Sequence, residues 1–147
     1  MRTLLICALI TVPVYSYAQD NGCASVGASM ESSLLAALQK DLKIDISTLQ
    51  KDKTALEIIN TASVSEIYAE SLAKQDYIAD KAKNRELTLK ESDYFSSYYD
   101  NQTKSLTAKY TYINKSNKKD VFIASSLMNE DECSIRFNGY LTLSREF

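Results

Sequence analysis

Apolar residues recur every fourth position at Val26, Met30, Leu34, Leu38 and Leu42, and Leu35 widens the stripe. That spacing collects them on one face and predicts an amphipathic helix over residues 25–43. The next stretch admits two readings. Ser47 with Gln50 matches a capping box for a short helix, whereas residues 54–60 (TALEIIN) read equally as a short strand. Ser63 with Glu66 makes a better capping box. Behind it Val64, Ile67, Tyr68, Leu72, Ile78, Ala79 and Ala82 keep one face, which predicts a helix over residues 64–83.

The period then changes. Residues 86–91 (ELTLKE) alternate, Leu106, Ala108, Tyr110 and Tyr112 alternate against Thr107, Lys109 and Thr111, and residues 120–128 (DVFIASSLM) form a mostly apolar run. These predict antiparallel strands separated by polar turns at 114–119 and 129–132. In the closing segment Cys133, Ile135, Phe137, Gly139, Leu141 and Leu143 share one parity, so that set is expected to face the core. Asn138-Gly139 is also a strong hairpin signal, but a hairpin there would set Leu141 against Arg136 and spoil the one-sided pattern. One long strand with a bulge or bend at Gly139 fits better. The expected fold is α+β, with two or three helices packed on one face of an antiparallel sheet of three to five strands.

The amino-terminal residues set the compartment. Arg2, the apolar stretch from Leu4 to Val14 and the sequence Ser16-Tyr17-Ala18 match a secretory leader cut after Ala18. The expected organisation is a cleaved leader at 1–18 and a single domain at 19–147, exported to a Gram-negative periplasm or beyond it. Cys7 leaves with the leader, so Cys23 and Cys133 remain as an even pair in an oxidising compartment. They are expected to form one disulfide between the new amino terminus and the last strand.

Candidate chemistry is mostly excluded. The chain has no histidine, which removes His-dependent triads and dyads, and pairing of both cysteines removes the usual zinc ligand sets. No catalytic residue, metal or cofactor is expected. Residues 71–74 (SLAK) match the Ser-x-x-Lys nucleophile pattern but fall inside a helix, and residues 116–119 (SNKK) match it inside a turn, with no Lys-Thr-Gly element after either. The formal net charge of −2 becomes more negative without Arg2, which argues against nucleic acid as a partner. Beyond the leader no apolar stretch is long enough to span a bilayer, and a helical first half with few strands argues against an outer-membrane barrel.

Two segments are candidate contact surfaces. In residues 92–101 (SDYFSSYYDN) Tyr94 with Tyr98, and Phe95 with Tyr99, are four apart, so a helical turn would gather them on one wide aromatic face edged by Asp93 and Asp100. Such rings fit a cover for the sheet somewhat better than anchors for a partner, and both roles can coexist if only one pair points outward. Glu130, Asp131 and Glu132 are consecutive, which points them apart and suits an electrostatic contact better than a cation cage. The expected function is a non-catalytic binding protein, an immunity-type inhibitor that occludes a secreted toxin or cell-wall hydrolase. Its contacts are expected at Tyr94, Tyr98, Tyr99, Glu130, Asp131 and Glu132, and the pattern is compatible with a homodimer. Two other readings compete: a small-molecule carrier with a pocket lined by Tyr110, Tyr112 and Phe122, and a subunit of an envelope or secretion assembly.

Overall fold

The computed structural model describes residues 22–147. The expected leader and its cleavage point lie outside the described residues. Helix α1 spans Ser29–Leu42, strand β1 Ala55–Ser63, helix α2 Glu66–Lys83, helix α3 Glu91–Tyr99, and strands β2 Lys104–Ile113, β3 Lys119–Met128 and β4 Arg136–Ser144. Single 3-10 turns at Gly22–Ala24, Ile46–Thr48 and Lys51–Lys53 lead into α1 and β1. The four strands pair antiparallel in the order β1-β2-β3-β4, so the α+β class and the antiparallel sheet are as the pattern predicts.

The stripe of α1 forms for the reason its spacing suggests. Met30, Leu34 and Leu38 are fully buried and meet Leu106, Ala108, Tyr110, Tyr112, Phe122 and Ala124 in one core. Full burial of an aliphatic side chain of this size stabilises the fold by about 1.5–3 kcal/mol. Lys43 ends the helix in a left-handed conformation.

The helices divide between the two faces, which refines the expectation that they share one. Strict alternation along β3 puts Phe122 and Ala124 under α1 and Leu127 on the opposite side. There Leu127 joins Val64, Ala69, Leu72, Ala73 and Tyr98 in a second, smaller core beneath the α2–α3 hairpin. The face of α2 expected to be buried is therefore only partly so. Leu72 is buried, but Ile67 is 80% exposed and Ile78 56%, because α3 packs closely against the small residues Ala69 and Ala73. Ser65, not Ser63, caps α2 by accepting from the Tyr68 N–H at 3.3 Å.

Two further expectations are corrected, and one that was left open is decided. Residues 86–91 form no strand; they carry the chain into α3, whose start is closed by the Lys90 N–H donating to Asp93 Oδ2 at 2.7 Å. Of the two readings of residues 54–60, the strand is realised as β1. In β4 the chain does run on through Gly139 with a bulge, as the pattern suggests, but the bulge reverses the parity after it. Phe137 lies opposite Ser126 and Tyr140 opposite Ala124, both on the core face, while Leu141 lies opposite Ile123 on the other face and is 66% exposed.

The Cys23–Cys133 disulfide is present, with Cα atoms 5.2 Å apart. Cys133 is exposed and precedes β4, so it is not the core-facing first residue of that strand. Cys23 packs against the main core, and the next residue, Ala24, accepts a 2.7 Å hydrogen bond from the Tyr110 hydroxyl. The bridge thus ties the layer that holds α1 to the turn between β3 and β4.

Candidate functional site

Two segments far apart in sequence converge at the hairpin end of the sheet. Helix α3 supplies Asp93, Tyr94, Ser97 and Tyr98, and the segment between β3 and β4 supplies Glu132 and Ile135; together with Leu89 they line a groove of about 240 Å³. The helical spacing of the aromatic segment is what brings its rings to this side. Tyr94 and Tyr98 meet edge to face at 6.4 Å, and Tyr77 of α2 closes on Tyr94 at 6.3 Å.

Each ring is held by a carboxylate of α2. Tyr94 donates to Asp80 Oδ2 at 3.0 Å, and Tyr98 donates to Asp76 Oδ2 at 2.8 Å. Asp76 also receives both Nε and Nη2 of Arg136, at 2.5 and 3.0 Å, in a two-pronged ion pair that reaches from α2 to β4. Arg136 Nη1 donates in turn to Asn138 Oδ1 at 2.7 Å, next to the bulge. The Arg136 hydrogen bonds, helped by Tyr98 and opposed by burial, hold the Asp76 carboxyl below the usual aspartate range. Burial first, and the Asp76 bond second, push the Tyr98 hydroxyl well above the ordinary tyrosine range. Tyr98 is 7% exposed, a wall of the groove packed in the smaller core, which is the covering role that the sequence offered beside that of an anchor.

The remaining candidates take separate positions. Tyr99 stacks on Phe95 at 5.3 Å and is exposed, but it does not line the groove. Glu130 and Asp131 are exposed beside Glu132 in a turn organised by Asn129, whose Oδ1 accepts from the Asp131 and Glu132 N–H groups at 2.9 and 2.7 Å. The disulfide begins at the following residue, so the acidic turn is anchored at both ends. Tyr110, Tyr112 and Phe122 are buried and packed on one another at 6.1 and 6.3 Å, and Tyr112 also borders a cavity on the side of the sheet that α1 covers.

Sequence reasoning missed Leu89, Ile135, Asp76 and Arg136. A signal for Asp76 exists: Leu72, Asp76 and Asp80 are spaced by four, so a buried helix face carries two carboxylates that need donors. Among the described residues no group of three histidine, cysteine or carboxylate side chains is placed to hold a metal ion. As an arrangement, the groove offers an aromatic floor, two apolar shoulders and an anionic rim at Asp93 and Glu132. No family model, curated protein or solved structure matches this chain.

Proposed function

We infer that the chain is an exported, non-catalytic protein-binding domain, an immunity-type inhibitor that plugs the cleft of a secreted toxin or cell-wall hydrolase. The observation that carries this reading is the groove itself, where the aromatic segment and the acidic turn meet although Tyr94 and Glu132 stand 132 − 94 = 38 positions apart in the chain. A basic side chain from a partner fits its chemistry. The stem of an arginine or lysine lies along Leu89 and Ile135, and its charge meets Asp93 and Glu132, with the Tyr94 ring as a cation–π surface. Glu130 and Asp131 add attraction at longer range and speed encounter.

A second reading, a subunit of an envelope or secretion assembly, is favoured by Leu141 and Leu143, which are 66% and 55% exposed on β4. One experiment separates the two. Oxidised protein spanning residues 19–147, and an Asp93→Lys/Glu132→Lys variant, would be used to capture partners from periplasmic and secreted fractions, and any captured protein assayed for activity. The inhibitor reading expects one stoichiometric partner that the charge-reversed variant loses, with its activity falling in proportion to added wild-type protein. Equal capture by both variants, or a captured protein whose activity is unaffected, would overturn it.

A further inference from the structure

A second concavity, independent of the groove, opens on the face of the sheet that α1 covers. It has a volume of about 320 Å³ and lies between the start of α1 and the 3-10 turns before β1. Val26, Leu35, Ile46 and Leu49 form apolar walls, and the polar residues Glu31 and Tyr112 also line it. Both polar residues are deeply buried, Glu31 at 4% exposed and Tyr112 at 1%.

Their bonding is unequal. Glu31 Oε2 accepts from the Gly27 N–H at 2.5 Å, which fixes the carboxylate at the entry to α1. The Tyr112 hydroxyl is buried and makes no hydrogen bond of ordinary geometry among the described residues, and the Glu31 carboxylate is the charged group that acts on it. Its stacking neighbour Tyr110 meets the same need by donating to Ala24 O at 2.7 Å, so the burial of these rings does not itself require an orphaned hydroxyl. Burial first, then the charge of Glu31, with smaller contributions from Tyr110 and from a weak contact to the Glu31 carboxylate, push the Tyr112 hydroxyl far above the ordinary tyrosine range, so it stays neutral. A buried hydroxyl without a partner is costly, and the walls around this one have the size and the apolar character of a small ligand site.

We propose that this cavity binds a small molecule that carries a protonated amine on an apolar body. The ammonium would donate to the Glu31 carboxylate and to the lone pairs of Tyr112, and the body would fill the space between Leu35, Ile46 and Leu49. Lys51 lines the same cavity with an exposed side chain and is the only cationic lining residue among those described, so a carboxylate on the same ligand would find its partner there. Free amines and apolar amino acids share the recognised chemistry.

Calorimetric titration of the oxidised protein with phenethylamine, phenylalanine and 3-phenylpropionate tests the assignment. Binding of either amine-bearing probe without binding of phenylpropionate is the expected result, and tighter binding of phenylalanine than of phenethylamine identifies amino acids as the source. Tyr112→Phe and Glu31→Gln should each weaken the bound amine by about tenfold with an unchanged near-ultraviolet circular dichroism spectrum, since each removes one partner and keeps the shape. Absence of heat with all three probes would mean that the cavity takes up water only. That result, phenylpropionate binding as tightly as the amines, or unchanged affinity in both variants would each overturn the proposal.

Discussion

Removing only the hydroxyl of Tyr98 takes a donor from Asp76 and leaves the ring packed over Leu127, so Tyr98→Phe isolates the bond from the core it crosses. We expect a loss of about 1 kcal/mol, read as a lower urea midpoint at unchanged slope. The pH dependence of the same site has a definite sign. The Asp76 carboxyl is held below its ordinary value by Arg136, so its contribution is fully present above the unfolded value near pH 4 and is lost as pH falls through the folded one. Asp76→Asn should therefore be less stable than wild type at about pH 6, with the gap narrowing toward about pH 2. A gap that stays constant over that range would show that the ion pair contributes nothing. Which of the two roles Tyr98 takes, cover or exposed ring, was left open by the sequence. A tyrosine four residues from another reads the same whether its hydroxyl meets water or a carboxylate from a neighbouring helix.

At the scale of elements, what could be read depended on whether burial follows one uninterrupted period. The stripe of α1 was legible because Met30, Leu34 and Leu38 all meet the same sheet face. Residues 86–91 alternate without any strand beside them, and the carboxylate of Asp93, which closes the start of α3, is the signal that outweighs the alternation there. The bulge in β4 was legible at Gly139, but its effect on parity was not: one extra residue returns the following side chains to the opposite face. Gly139 has φ +111°, and a Cβ there would meet nothing within 4 Å, so the cost of Gly139→Ala is conformational. We expect it to be about 1–2 kcal/mol. The same bulge makes a contrast that chemical denaturation can check. Phe137→Ala should cost about 2 kcal/mol because Phe137 packs against the main core, whereas Leu141→Ser, which looks equally buried from its parity in the sequence, should change stability by less than about 0.5 kcal/mol. Equal losses in the two variants would mean that β4 keeps its parity through Gly139.

For the whole molecule, the two cores lie on opposite faces of one sheet, and the disulfide links the α1 side to the β3–β4 turn that borders the hairpin end. The pairing of Cys23 with Cys133 was legible once Cys7 was assigned to the leader, but its position was not, since the exposure of Cys133 follows from the turn at Asn129. Closing a loop across a sequence separation of 110 stabilises by about 4–5 kcal/mol in the chain-entropy model, and measured values are commonly about 2–4 kcal/mol. The effect acts mainly through the unfolded chain, which gives it a second signature. An unfolded state cross-linked over most of its length stays compact and exposes less surface, so the urea slope of the Cys23→Ser/Cys133→Ser variant should exceed that of the oxidised protein while its midpoint falls. A lower midpoint with an unchanged slope would instead place the effect in the native state, as packing loosened around Ala24 and Tyr110. The hydrogen bond between those two residues holds the same amino-terminal segment without the bridge, so native packing at Cys23 should survive reduction. The larger slope is the outcome the structure favours.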